Sequence, residues 1–202
     1  MLTTIVLTGG PCAGKTTVLS ALTENYGDHV LIMPEVPTLL MANGFPRPGL
    51  EVPADDIWFS AFQNAVLPVQ KNMEDLYVIM AQAKNAELLI FDRGMLDGAA
   101  YMPGGEAAFL ATFNLAKDKI YARYDAVINL TSVAVSRPEL WQPLKQTNAA
   151  RFDYETLEVA QERDRRTREA WSGHPNWHLV PGNNGIEAVI AEVHNLVKPF
   201  LT

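Results

Sequence analysis

Five short apolar runs recur along the chain: residues 3–8 (TTIVLT), 29–33 (HVLIM), 87–91 (ELLIF), 125–130 (DAVINL) and 177–180 (WHLV). Each is of strand length, and apolarity with almost no alternation is what a parallel strand covered on both faces requires. Between the runs the apolar period lengthens to three or four. After Asp55 and Asp56, which read as a helix start, Trp58, Phe62, Val66 and Val69 recur at that spacing, and Leu76, Tyr77, Met80 and Ala83 continue the apolar face. Pro68 lies within this stretch and is expected to kink the helix or divide it in two. Further helices are expected over about 14–25, stopped by Gly27, and over about 106–121, 154–171 and 185–200. Strands alternating with helices predict a three-layer α/β fold, a doubly wound parallel sheet with helices on both faces.

Two stretches interrupt the alternation. Residues 42–53 (ANGFPRPGLEVP) and 136–147 (SRPELWQPLKQT) are rich in proline and read as loops. With no internal repeat, low-complexity tract or dividing linker, residues 1–202 are expected to form one domain, with residues 131–155 as a lid segment within it. The charge balance of 16 Lys and Arg against 23 Asp and Glu, net −7, argues against a general nucleic-acid surface, which needs clustered positive charge. A single cysteine, Cys12, permits neither an internal disulfide nor a Cys-rich metal site and suits a reducing compartment. No run approaches the ~20 apolar residues of a membrane span, and no basic segment precedes the first apolar run. A cytoplasmic protein is expected.

The candidate chemistry begins directly after the first run. Residues 9–16 read G-x-x-x-x-G-K-T, from Gly9 through Gly10, Pro11, Cys12, Ala13 and Gly14 to Lys15 and Thr16. The motif follows a predicted strand and opens a predicted helix, which is the context a phosphate-binding loop needs. Glycines let the backbone wrap with its N–H groups inward, where they and the helix N-terminus attract anionic oxygens. Lys15 is placed to reach the β- and γ-phosphates of a nucleoside triphosphate, Thr16 offers a hydroxyl to Mg²⁺, and Thr17 to a further phosphate. Cys12 reads either as a redox-sensitive thiol or as a loop position contributing only backbone.

Ligands of an open parallel sheet sit beyond the carboxyl ends of its strands, so further site residues are expected at the other strand ends. The second ends in Pro34-Glu35-Val36-Pro37, where Glu35 reads as a general base for an acceptor hydroxyl, as a group orienting that acceptor, or as a solvated turn residue. The third runs into Asp92-Arg93: Asp92 is a candidate Mg²⁺ ligand and Arg93 a phosphate or acceptor contact, unless the two form a structural ion pair. Asp97 reads as a supporting residue and Tyr101 as packing. Gln63 and Gln70 follow the first proline-rich loop. Gln63, beside aromatic residues, is a candidate reader of a base edge, whereas Trp58, Phe59 and Phe62 read as core. Arg151, Arg163, Arg165, Arg166 and Arg168 cluster after the fourth strand. Pairs at i, i+4 between Glu162 and Arg166 and between Asp164 and Arg168 would account for a solvated face. Arg151 is the leading candidate to close over the phosphates, followed by Arg163, then Arg137. Asn183, in the turn after the fifth strand, is a candidate base contact. The four histidines show no metal-ligand spacing.

Taken together, TGGPCAGKTT, PEVPTLL, FDRGMLDGAAY and NAARFDYETLEVAQERDRRTREAW resemble a family of AAA-labelled P-loop ATPases, similar to the ribosylnicotinamide kinase domain of the bacterial NAD repressor and to certain GTP-binding proteins. The resemblance implies a kinase-like P-loop NTPase core with a five-stranded sheet of order 2-3-1-4-5. It implies ATP or GTP with Mg²⁺, and a small-molecule acceptor such as a nucleoside, a ribosylated base or a nucleotide. Glu35 and the Asp92-Arg93 pair also look like the acceptor site of deoxynucleoside and thymidylate kinases, although deoxynucleoside kinases carry Glu before the arginine. Two functions stay open on the residues alone: a kinase, or a nucleotide-dependent switch with a protein or lipid partner.

Overall fold

The computed structural model describes residues 2–147 and 155–201. All five expected strands form: β1 (Thr3–Gly9), β2 (Val30–Met33), β3 (Leu88–Asp92), β4 (Ala126–Leu130) and β5 (Trp177–Val180). They pair in parallel in the order β2-β3-β1-β4-β5, with β1 in the middle. Side chains alternate across the sheet, so one strand feeds two cores. Val6, Leu89, Phe91 and Val127 face a core with Phe62, Val66 and Trp171, while Ile5, Leu7, Ile90 and Ile128 face a second with Val18, Leu22, Val189 and Val193.

The first helix, α1 (Lys15–Tyr26), begins where the phosphate loop ends and is stopped by Gly27. α2 (Val36–Ala42) follows β2, with Glu35 at its N-cap. α3 (Asp56–Lys84) starts with the Asp55 carboxylate accepting the Trp58 amide at 2.9 Å. It continues through Pro68, so the expected division does not occur. A proline in a helix interior costs ~3 kcal/mol, and buried Phe62, Val66 and Leu67 before it and Ala81 beyond it clamp both halves to one core.

The stretch expected as one helix over 106–121 is two, α4 (Gly105–Thr112) and α5 (Lys117–Tyr121). Asn114 between them has φ 50°, a left-handed conformation that Asn tolerates better than most residues and that ends a right-handed helix. The second proline-rich stretch is largely helical, not a loop. After α6 (Val133–Ser136) come a 3₁₀ turn, Pro138–Leu140, and α7 (Trp141–Thr147). Pro138 and Pro143 both fall in first turns, where a missing N–H costs little, and buried Trp141 packs with Ala134 and Ala160. α8 (Leu157–Trp171) and α9 (Ile186–Val197) complete the layers close to their expected bounds.

At the end of β1, Gly9 has φ 145°, and a Cβ there would lie 2.3 Å from the Leu130 carbonyl oxygen. Gly9→Ala is therefore expected to lower the unfolding free energy by at least about 2 kcal/mol, since neither the backbone conformation nor a β4 carbonyl accommodates a methyl group. Urea unfolding monitored by tryptophan fluorescence reads this directly, and an unchanged midpoint would contradict it.

Candidate active site

The phosphate loop spans the end of β1 and the start of α1, and its far half forms one wall of a cleft of about 760 Å³. Pro11 through Thr17 line the cleft. Gly9 and Gly10 do not, and the reason lies in their partners. The Gly9 carbonyl accepts Lys15 Nζ at 3.4 Å and Arg93 Nη1 at 3.2 Å. The Gly10 N–H points the other way, to the carboxylate of Asp164 on α8 at 3.3 Å. That same oxygen accepts the Ser132 amide at 2.8 Å, and Arg168 pairs with the second oxygen at 2.8 Å. Asp164 is fully buried. The i, i+4 pair expected on a solvated face thus braces the back of the phosphate loop. Cys12 takes φ 56° and packs against the Trp141 cluster while lining the cleft.

Opposite the loop, the carboxyl ends of β2 and β3 bring Glu35, Asp92 and Arg93 into the same cleft. Arg93 is buried, with φ 73°. Its Nε donates to Glu35 Oε1 at 2.5 Å and its Nη1 to Asp97 Oδ1 at 3.1 Å. Thr38 on α2 donates its hydroxyl to the other Glu35 oxygen at 2.5 Å. Asp97 does more than its expected supporting role suggests. One oxygen accepts Thr8 Oγ1 at 2.5 Å, and the other accepts the Gly94 amide and Trp171 Nε1, both at 3.0 Å. This carboxylate ties β1, the turn after β3, and α8 together beneath Arg93. Gly94 permits the approach, because a Cβ there would stand 2.9 Å from both Trp171 and Val6.

Burial, and after it the Arg93 charge, lower the Lys15 pKa to about 8 against opposing pulls from Asp92, Glu35 and Asp97. An ammonium held this far from water gains most when an anion arrives. Bound polyphosphate raises the Lys15 pKa again, so binding takes up a proton once the free group has lost it. Triphosphate affinity is accordingly expected to be flat below pH 8 and to fall by about tenfold per pH unit above it. Calorimetric titrations between pH 7 and 9.5 check this, and a flat profile would remove Lys15 from the phosphate contact.

For Asp92 burial pushes the carboxyl pKa up, with the Lys15 charge opposing it. Its Oδ1 is buried and lacks a hydrogen-bond partner. A hard cation would satisfy that oxygen and favour the ionised form. Thr16 lines the same cleft. Among the described residues no group of three or more His, Cys, Asp or Glu could hold a metal ion. One carboxylate and one hydroxyl suit Mg²⁺, which keeps waters and substrate phosphates as its remaining ligands, so these residues fit it.

The rest of the cleft is a chamber walled by aromatic rings. Trp58, Phe59 and Phe62, which the helical period places in the core, line it, and the Trp58 and Phe62 rings stack with centroids 4.5 Å apart. Phe62 serves both cleft and core. Gln63 is buried on the chamber wall, with Oε1 lacking a partner. Tyr101, read as packing, also lines the chamber. The Arg163 guanidinium lies 5.0 Å from the Phe59 centroid and 4.7 Å from that of Tyr101, and it pairs with Glu155. Glu155 lines the cleft and drew no notice in the sequence, since nothing in its spacing distinguishes it.

One expected contact falls elsewhere. Asn183 is exposed and outside the cleft, whose edge there is formed by Ile186, 2.7 Å from where a Gly14 Cβ would stand. The turn after β5 leads the chain past Asn183 before α9 returns to the phosphate loop. Arg151, with part of the expected lid over 131–155, lies outside the described residues. Arg137 lines the cleft, whereas Arg165 and Arg166 are tied to Glu162 on the outer face of α8.

No described helix is long and apolar enough to cross a membrane, and no curated protein matches the sequence. Among solved structures the fold is similar to deoxyadenosine kinase from M. mycoides with bound dATP, at TM-score 0.56 and 17% identity over 96% of this chain and 99% of that one. The same enzyme with the products dCMP and a flexible dCDP gives TM-score 0.57 and 17% identity over 97% and 99%, and with dCTP 0.54 and 16% over 97% and 99%. At such identity the likeness is one of fold: a kinase-like P-loop NTPase with the sheet order 2-3-1-4-5. The AAA domain model matches residues 4–186. A match that runs from β1 to the first residue of α9 means that the chain belongs to the AAA domain family.

Proposed function

We propose that the protein is a small-molecule kinase that transfers the γ-phosphate of a nucleoside triphosphate to a hydroxyl of a nucleoside-type acceptor. The observation that carries this reading is the aromatic part of the cleft. A nucleotide switch needs the phosphate loop and a carboxylate for its metal, but it has no use for stacked rings and a buried, unpartnered amide oxygen in the same cleft as Glu35. A flat heterocycle fits between such groups, with the rings taking its faces and Gln63 Oε1 accepting from an N–H on its edge. The fold shared with deoxyadenosine kinase agrees with an acceptor of this class.

In this reading Lys15 and the backbone amides from Pro11 onward hold the triphosphate, with Ile186 and Arg137 at the base-side edge of the cleft. Thr16 and Asp92 would hold Mg²⁺, which neutralises phosphate oxygens when bound. Arg93, fixed by Glu35 and Asp97, presents its guanidinium between the phosphate loop and the acceptor. Glu35 takes the proton of the acceptor hydroxyl as its oxygen bonds to the γ-phosphorus and the bridging β,γ-oxygen leaves in line. Catalysis of this kind is mainly positioning and charge stabilisation. Arg151 and Arg163 are the arginines proposed to add positive charge over the phosphates.

A coupled assay with Mg-ATP and Mg-GTP against nucleosides, ribosylated bases and nucleoside monophosphates tests the proposal. A phosphorylated nucleoside or ribosylated base is the expected product. Tight triphosphate binding with slow hydrolysis that no acceptor accelerates would overturn it in favour of a switch.

A further inference from the structure

Beneath the Asp92-Arg93 turn lies a buried polar network that takes no part in lining the main cleft. Gln70 and Glu74 stand one turn apart on α3, each no more than 2% exposed. Gln70 Nε2 donates to Glu74 Oε1 at 2.9 Å and to the backbone carbonyl of Arg93 at 3.1 Å. The Tyr124 hydroxyl donates to the same Glu74 oxygen at 2.9 Å and accepts the Met95 amide at 3.1 Å. Arg123 closes the network on Glu74 Oε2 at 3.0 Å.

The two points at which this network meets the backbone, the Arg93 carbonyl and the Met95 amide, bracket the turn that carries the Arg93 side chain. Arg93 is held at φ 73°. That conformation is strained for a non-glycine residue and persists only where the surroundings over-determine it. A buried carboxylate is a poor way to fill a core, because apolar groups of similar volume usually stabilise as well or better. Its use is therefore to be found in what it holds. We infer that Gln70, backed by Glu74 and Tyr124, is a positioning residue that locks Arg93 in its left-handed conformation and so aims the guanidinium at the reacting groups.

Asp97 fixes the guanidinium itself, while Gln70 fixes the main chain from which it springs. Both constraints are needed, since a long side chain pinned only at its tip leaves the turn free to relax to negative φ. Displacement of a catalytic group by about 1 Å costs on the order of a hundredfold in rate.

The effect on turnover rests on the kinase reading, but a second readout does not. That readout is the Arg93 guanidinium itself, whose Nε–H is held on Glu35 Oε1 and gives an NMR resonance that moves if the turn relaxes. The full-length Gln70→Met variant, similar in volume but without the amide, is expected to lose roughly 10- to 100-fold in kcat. Its triphosphate affinity at pH 7 should stay within about threefold, and the Arg93 Nε–H resonance should shift and broaden as the turn relaxes. In an Arg93→Ala background the same substitution should have no further effect on kcat. If Gln70→Met fails to fold by circular dichroism, Tyr124→Phe, which frees the Met95 amide and one bond to Glu74, carries the same expectations. A folded variant with wild-type kcat and an unmoved Arg93 Nε–H resonance, or one whose losses persist undiminished in the Arg93→Ala background, would overturn the inference. Should the wild-type protein phosphorylate no acceptor, the kinase reading fails, and the Arg93 resonance still decides whether Gln70 holds Arg93.

Discussion

Lys15→Ala is expected to weaken triphosphate binding by at least about a hundredfold while leaving the free protein as stable as before at pH 7, or more so. Two effects with opposite signs produce this result. Opposite unit charges 4 Å apart at an effective dielectric near 20 attract by about 4 kcal/mol, so removing the ammonium from a buried phosphate contact is costly to binding. In the free protein the same ammonium is a burden: burial and the Arg93 charge bring its pKa from 10.5 down to about 8. A basic group whose folded pKa lies below its unfolded value destabilises the fold wherever both states are charged. That penalty is fully present below pH 8, declines between pH 8 and 10.5, and is gone above. Wild-type stability should thus gain a contribution on going from pH 8 to 10.5 that Lys15→Ala lacks. Equilibrium binding of a fluorescent triphosphate, with urea unfolding at pH 7 and 10, tests both parts. Binding within threefold of wild type would remove the phosphate loop from the proposed mechanism.

Glu35→Gln should leave triphosphate affinity within a fewfold and lower the rate of phosphoryl transfer by about 10²- to 10⁴-fold, the usual range for losing a positioned base. The substitution keeps an oxygen that can accept from Arg93 in place of Oε1, and its NH₂ can donate to the Thr38 hydroxyl that now donates to Oε2, so the geometry around the turn survives. What disappears is the negative charge facing Arg93 and the capacity to take a proton. Breaking a buried ion pair can cost about 3–5 kcal/mol when the surviving charge is stranded. Here Arg93 retains Asp97 Oδ1 and the Gly9 carbonyl, so the stability loss should fall well below that range. Single-turnover kinetics with pre-bound triphosphate separate the chemical step from binding. Unaltered transfer would leave Glu35 as an anchor for Arg93 only.

The sheet was legible because each strand had to be apolar on both faces, and a five-residue apolar run between helices has few other uses. The phosphate loop was legible because glycine, lysine and threonine at fixed offsets answer a local demand of the backbone. Glu35 and the Asp92-Arg93 pair could be picked out by arithmetic alone, as polar residues at the carboxyl ends of strands. Turn chemistry was harder. Prolines over 136–147 suggested a loop, yet proline at the start of a helix and proline in a loop leave the same mark, and only burial of Trp141 favours the helix.

The misreadings along α3 share one cause. Apolar period shows which face of α3 turns away from water, but a core and the wall of a ligand chamber are both apolar. Trp58 and Phe59 read as core for that reason, although both also line the chamber, and Gln70 drew no role although it reaches the Arg93 carbonyl. Asp164 paired with Arg168 as the i, i+4 rule expects, and its second engagement with Gly10 and Ser132 has no local signature.

By itself, then, the sequence determined the strand pattern, the phosphate loop and the identity of the groups at the strand ends, because each satisfies a requirement set within a few residues of chain. Only the tertiary structure decided which apolar face became the chamber, that Asp97 and Asp164 brace the two sides of the cleft, and that Arg93 is locked from below. Those outcomes depend on contacts between residues 20 to more than 150 positions apart, and no local spacing encodes which buried polar group will find which partner.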